Sequence, residues 1–272
     1  MGLNMNNKEI LRIAMEQSAI DFNCSIQDFI NTGNTVVISK LNEEAKKCYK
    51  KPHFCSLAYY GGGLVASVDE RIREFISEFI SRHPGYTCFD TPQLILLNKE
   101  LEKHGKCVCH IAEFFLPDIE KQVEINNNFD VKVLSEDEVP FLYKDTRFHM
   151  ALGYGNDRSK KDVLAAVGYI DGKIVGVAGA SNYSNTMYNV GIDVLPEYRR
   201  LGVATTLTKI LTDEIIDRGK VPFYCTAWSN IPSKNNAIKS GYRTAWVEMA
   251  AIDINDAMKI IGETIQSYEL HK

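Results

Sequence analysis

The sequence predicts an α/β (α+β) protein: a mixed, largely antiparallel sheet flanked by helices, preceded by a smaller N-terminal α/β domain. Three observations carry that expectation. Apolar residues switch repeatedly between a period of two and a period near 3.6. Asp171-Gly172 separates two strand-like runs, the strongest hairpin signal in the chain. The stretch DVLPEYRRLGVATTL, residues 193–207, carries a strand through Pro196, Arg199 and Arg200 into Gly202 and a helix.

From the N-terminus, Ile10, Ile13, Ala14, Ala19 and Ile20 have helical spacing over 6–22, and Ser25 opens a second short helix. A strand follows at 36–39. The runs 54–60 and 64–68 flank Gly61-Gly62-Gly63, which reads as a tight reversal closing a hairpin. Phosphate binding is the competing reading of that triplet, but no helix with a following Lys starts there. Helices are expected over 69–82 and 91–104, the second with Thr91-Pro92 at its start, then a strand over 107–116. The polar segment PDIEKQVEINNNF, 117–129, marks a boundary that gives domains 5–125 and 126–272.

The second domain opens with a strand at 129–134, and Ser135-x-x-Glu138 is a capping box that should start a helix. Strands at 163–170, 173–181 and 187–195 form a meander. Val203, Leu207, Ile210, Leu211 and Ile215 make a helical stripe that stops before Gly219. A strand at 221–227, a short helix at 233–240, a strand at 245–254 and an amphipathic helix at 255–269 complete the order.

With 45% hydrophobic and 24% charged residues over 272, the chain has the make-up of a globular protein with a sizeable core. A formal charge of −4 gives no reason to expect a nucleic-acid partner. No apolar run approaches the roughly 20 residues that cross a bilayer. The opening MGLNMNNKEI lacks the apolar stretch of a signal peptide, Asn6 stands where myristoylation wants Ser or Thr, and Met5 offers an alternative start. The expected location is cytoplasmic, with no membrane partner. Seven scattered cysteines fit reduced thiols. Cys107-Val108-Cys109-His110 matches neither a zinc or redox pair nor a haem attachment site, and its alternating context reads as strand, so no metal is expected.

Chemistry concentrates at the strand-to-helix turn. Gly202 lets backbone approach a ligand closely, and Ala204 keeps the next turn of surface low. The first N–H groups of a helix have no internal acceptor, and the macrodipole adds positive character, so such a turn suits phosphate. Arg199 and Arg200 can pair with its oxygens. A bland turn with two solvated arginines has the same spacing, so the wider context decides.

Val194-x-Pro196-x-x-Arg199-x-x-Gly202-x-Ala204 resembles the acyl-CoA motif of the GNAT superfamily of N-acetyltransferases. Downstream, Asn230-Ile231-Pro232-Ser233 followed by Gly241-Tyr242 is similar to its second signature. The resemblance covers about residues 129–254. It implies a GNAT-like sheet that splays open beside the motif strand, acetyl-CoA as co-substrate, and direct attack of an amine on the thioester. Carried over by position, the backbone at Asp193, Val194 and Leu195 meets the pantetheine arm. The amides of Arg200, Leu201, Gly202, Val203, Ala204 and Thr205 hold the pyrophosphate, with Arg199 beside them, and Asn230 and Ser233 sit near the thiol. Many relatives place a Tyr seven residues after the Asn as acid for the departing thiolate; here that residue is Ala237. Either another group protonates the thiolate, with Tyr224 the candidate because Tyr242 reads as an aromatic plug, or acid catalysis is not needed.

Strand alternation puts Val190, Ile192 and Val194 on a core face and Asn189, Gly191 and Asp193 on the other. Asp193 is either a base near the thioester or a carboxylate bonded to neighbouring backbone. His149 lies in FHMALGYGND, where the family forms its acceptor wall; it is a second candidate base, or a packing residue. In the same loop, Tyr154, Asn156 and Asp157 either select the amine or belong to an ordinary polar loop. Trp228 is a rim aromatic or an acceptor contact.

Residues 1–128 carry no assignable motif; a degenerate copy of the same fold is one reading of their elements, and a regulatory, substrate-shaping or dimerising role is the expectation. The expected activity is acetyl transfer from acetyl-CoA to the primary amine of a small metabolite. A small-molecule amine is the partner, and a homodimer stays open. The alternative is an acyl-CoA-binding sensor or interaction protein without turnover, which Ala237 favours.

Overall fold

The computed structural model describes residues 5–126, 128–152 and 161–270, with side chains to residue 262; Tyr154, Asn156 and Asp157 lie outside the described residues. The chain divides into two compact units: 1–18, 43–50 and 113–245 form one, and 19–42, 51–112 and 246–272 the other. This differs from a single cut near residue 125. The division falls inside two long strands, β4 (Lys106–Pro117) and β10 (Tyr242–Asp253), and the polar segment 117–129 belongs wholly to the first unit.

In the first unit, β5 (Asp130–Ser135), β6 (Asp162–Ile170), β7 (Lys173–Ser181) and β8 (Met187–Val194) form an antiparallel meander, and β9 (Val221–Ala227) adds in parallel beside β8. The β6–β7 reversal places Asp171 at φ 48° and Gly172 at φ 73°, the left-handed pair that a two-residue hairpin requires. Helix α5 (Val203–Asp217) lays Val203, Leu207, Leu211 and Ile215 on the sheet among Leu164, Ala166, Val175, Ala178 and Val190. The opposite face is covered by Val139, Leu142, Phe148, Ala151 and Leu152. Ser135 and Glu138 do bond, but both the N–H and the hydroxyl of Ser135 donate to the Glu138 carboxylate (3.0 and 3.1 Å). The hydroxyl therefore leaves the helix amides uncapped, and Val139–Lys144 follows as a tighter 3₁₀ helix with Pro140 near its start.

Helix α1 (Asn7–Phe22) begins in the first unit and ends in the second. There α2 (Ile26–Ile30) is capped by Ser25, which shares a capping box with Asp28. Strand β1 (Thr35–Ile38) lies parallel to β3 (Leu64–Val68), which pairs antiparallel with β2 (Cys55–Tyr59), which in turn pairs with residues 247–250 of β10. Helices α3 (Arg73–Ser81) and α4 (Thr91–Glu102) bury Ile76, Phe79, Ile80, Leu97 and Leu101 against Leu57, Leu64 and Met249. The triple glycine is turn chemistry. A Cβ at Gly62 or Gly63 would stand 2.4 Å from the Phe29 or Asp28 carbonyl oxygen, so the triplet lets α2 pack close. Carbonyl oxygens, which repel anions, surround it. Helix α6 (Ile231–Lys239) belongs to the first unit, and α7 (Ile254–Leu270) closes the chain in the second. No described helix is long and apolar enough to cross a membrane.

Candidate active site

Strand β8 ends at Val194, and the Leu195 amide donates to the Val175 carbonyl (3.0 Å), fixing the exit. Pro196–Tyr198 makes one 3₁₀ turn, Arg199 is extended, and Arg200 (φ 65°) and Gly202 (φ 79°) are both left-handed. That sequence of conformations turns the chain into α5 with Gly202 as N-cap. The cap carries no side-chain acceptor, and the first ladder bond runs from the Thr206 amide to the Gly202 carbonyl (3.0 Å). The first amides of α5, before Thr206, thus lack a ladder acceptor and suit an external anion. Gly176 lies underneath. A Cβ there would meet Val203 at 3.0 Å and Leu207 at 3.2 Å, so its absence seats the N-terminal turn of α5 tightly on β7.

The parallel β8–β9 ladder pairs Met187 with Val221 through Val190 with Tyr224 and then stops, although β8 runs on to Val194 and β9 to Ala227. Beyond Val190 and Tyr224 two strand edges face each other without pairing. A cleft of about 1240 Å³ opens there, lined by Gly191 to Val194, Tyr224 to Ala227, the Arg199–Thr206 turn and the start of α6.

Of the residues singled out from sequence, Asp193, Val194, Arg199, Arg200, Gly202, Val203, Ala204, Thr205, Tyr224, Asn230 and Ser233 line this cleft. Leu195 and Leu201 do not: Leu195 packs with Phe148 and Leu152 in the core opposite α5, and the Leu201 side chain is exposed. His149 is also outside it; its Nδ1 bonds the Thr146 carbonyl (2.9 Å) at an exposed position. Trp228 is exposed beside the lining residue Ala227. The Arg199 Nε donates to the Val194 carbonyl (3.1 Å), so the side chain folds back over the strand end.

On β9, the Tyr224 ring is buried, and its hydroxyl shares a 2.9 Å hydrogen bond with the Ser233 hydroxyl on α6. Asn230 caps α6 by accepting from the Ser233 amide (3.2 Å), which fixes where Ser233 stands. Burial raises the Tyr224 phenol above its ordinary value, and hydrogen bonds to Ser233 and Asn236 oppose the rise. Asn236 also donates to Thr208 (3.1 Å), tying α6 to α5. Ala237 is fully buried in the core, and Tyr242, hydrogen-bonded to Thr212 (2.6 Å), plugs the same core.

The other face of β8 carries Asp193. Its Oδ2 accepts from the Met150 and Ala151 amides (2.7 and 2.9 Å), and Oδ1 stands outside both bonds. Burial raises this carboxyl above the ordinary aspartate range, partly offset by those two amides. The 150–151 backbone approaches so closely that a Cβ at Gly179 would lie 2.2 Å from the Ala151 oxygen, and one at Gly191 would lie 2.6 Å from the Met150 oxygen. Ser181, Asn189 and Cys225 complete this side, with the Cys225 thiol on the Asn189 amide oxygen (3.8 Å).

Sequence reasoning missed Asn126, which lines the cleft and reaches the turn before α5. Its only local signal was the run of asparagines 126–128, which looks like a linker. Among the described residues no group of His, Cys, Asp and Glu could hold a metal ion, and Cys107 and Cys109 are free thiols raised by burial.

No curated protein matches the chain. Solved structures similar to it include an acetyltransferase of the GNAT family from Novosphingobium aromaticivorans (21% identity, 54% of this chain, 66% of that one, TM-score 0.40). Others are a GNAT-family acetyltransferase from Colwellia psychrerythraea (15%, 54% and 57%, 0.40) and a GCN5-related N-acetyltransferase from Kribbella flavida (15%, 58% and 63%, 0.44). The chain thus spans no more than 66% of these three. The family model described as acetyltransferase (GNAT) matches residues 130–242, which contain both sequence signatures, the uncapped α5 turn and the splayed strand pair. Residues 130–242 of this chain are a domain of the GNAT acetyltransferase family.

Proposed function

We propose that the protein transfers an acetyl group from acetyl-CoA to the primary amine of a small molecule by direct attack on the thioester. The observation that carries this is the pairing of an uncapped helix N-terminus with two unpaired strand edges along one cleft. The helix end suits a pyrophosphate, and the strand edges suit an extended amide-bearing arm that adds like a strand. Arg199 and Arg200 supply charge at the pyrophosphate end.

Tyr224 supplies the proton to the departing thiolate. Its raised phenol stays protonated at neutral pH, and Ser233 holds the hydroxyl in place. Asp193 takes the proton from the attacking amine through Oδ1; burial makes this carboxylate a stronger base than one in water. Positioning of the two substrates along the cleft contributes the rest.

A second reading, an acyl-CoA sensor without turnover, rests on Ala237 at the position where many relatives place their acid. Calorimetry with acetyl-CoA, followed by free-thiol release against a panel of amines, separates the two. Binding with release supports transfer, and binding without release across the panel supports the sensor. No binding defeats both.

A further inference from the structure

The cleft has one wall contributed by residues 122–126, a segment that precedes the family domain. It is fixed at both ends. The Asp118 amide donates to the Gly241 carbonyl (2.8 Å), Asn7 bonds the Asp118 carboxylate (2.7 Å), and Lys121 reaches the Ile238 carbonyl at the end of α6 (2.8 Å). Val123 packs so closely over Gly241 that a Cβ there would lie 2.9 Å from it. At the other end Asn126 engages α5. Its backbone N–H donates to the Thr206 hydroxyl (2.9 Å), and its side-chain Nδ2 donates to the Leu201 carbonyl (2.6 Å). Its Oδ1 accepts from the Asn128 amide (2.9 Å), which fixes the rotamer.

The Leu201 carbonyl belongs to the peptide that joins Leu201 to Gly202, and Leu201 itself stands between the left-handed Arg200 and Gly202. In a planar trans peptide the C=O and the following N–H point opposite ways, and the chain holds no cis peptide among its described residues. Gripping the Leu201 oxygen therefore sets the direction of the Gly202 N–H. Gly202 itself has the freedom to let that peptide turn over, since glycine populates positive and negative φ alike.

Resting on the acetyl-CoA reading above, we infer that Asn126 is a positioning residue of the cofactor site. It locks the Leu201–Gly202 peptide so that the phosphate turn is formed before the ligand arrives, and the 118–126 segment is part of that site. Preorganisation of this kind affects cofactor affinity and leaves the chemical step alone.

The experiment compares Asn126→Asp with the wild-type chain. Aspartate keeps the shape, the backbone bond to Thr206 and the acceptor for Asn128, loses the donor to Leu201 and adds a negative charge; the near-isosteric, uncharged Asn126→Leu is therefore measured beside it and must show the same rise. Expected is a rise of about tenfold in the acetyl-CoA Kd and KM, with kcat and the amine KM unchanged. Inorganic pyrophosphate should compete with acetyl-CoA more weakly in the variant by a similar factor. Equal cofactor affinity in the two proteins, or a fall in kcat alone, overturns the inference. Hydrogen exchange on the wild-type chain gives an answer even if the variant fails to fold. Acetyl-CoA should slow exchange in both 199–206 and 120–128, and protection of the turn alone overturns the role of the segment. Absence of any acetyl-CoA binding to the wild-type chain defeats the functional reading instead, a distinguishable result.

Discussion

Tyr224 and Ser233, on a strand and a helix that approach each other at the cleft, share a 2.9 Å hydrogen bond between hydroxyls. Replacing Tyr224 with Phe removes the bond and keeps the buried ring. Loss of a general acid costs about 10²- to 10⁴-fold in kcat, while acetyl-CoA affinity should change little. The phenol is raised above 10.0 by burial. An acid must be protonated to act, so the wild-type rate should hold to about pH 10 and fall above it. Steady-state rates of Y224F across that range should lack the fall; an unchanged kcat removes Tyr224 from the chemistry.

Gly202→Val places a β-branched residue at φ 79°, where such side chains are strained. Space is not the obstacle, since the nearest atom to an added Cβ is 3.4 Å away on Asn126. The strain, about 1–3 kcal/mol, is relieved by moving the turn. Acetyl-CoA affinity should fall more than tenfold by calorimetry in a variant whose circular dichroism matches wild type.

Asp193→Asn retains the two bonds to Met150 and Ala151 by offering its amide oxygen to them. As the proposed base is lost, kcat should drop about a hundredfold. The pH dependence of stability has a definite sign. A carboxyl raised in the folded state binds its proton more tightly there than in the unfolded chain, so its contribution is present at low pH and lost as pH rises through the folded value. The Tm of D193N relative to wild type should therefore improve as pH rises from below the ordinary aspartate range. Movement in the other direction means that the two amide bonds outweigh burial.

Gly179→Ala forces a methyl against the Ala151 carbonyl, which stands 2.2 Å from the ideal Cβ position. Backbone cannot yield as a flexible side chain does, so about 1–3 kcal/mol of stability should be lost. Thermal melting reports this as a drop of several degrees, and displacement of 150–151 should raise the amine KM more than that for acetyl-CoA.

Features that rest on local chemistry were legible in the sequence. The Asp171-Gly172 turn, the Val203–Ile215 stripe and the Ser25 cap each depend on residues within a few positions of one another. The division of the chain was not, because it falls inside β4 and β10, where strand alternation continues unchanged. Ser135 and Glu138 did pair, but which donor met which acceptor set the helix type, and spacing does not encode that. The turn from Arg199 to Thr205 could be named from one motif, and Asn230 and Ser233 from a second. Asn126 could not, since its partners Leu201 and Thr206 lie 75 and 80 residues away.

The ladder between β8 and β9 ends at Val190 and Tyr224, and the gap beyond it reaches both faces of the sheet: the α5 turn lines one side, Met150 and Ala151 the other. Two reactants can then approach from opposite sides, and neither has to depart before the other enters. Initial-rate plots with both concentrations varied should intersect, the mark of a ternary complex, where a shuttle through a covalent acyl-enzyme would give parallel lines.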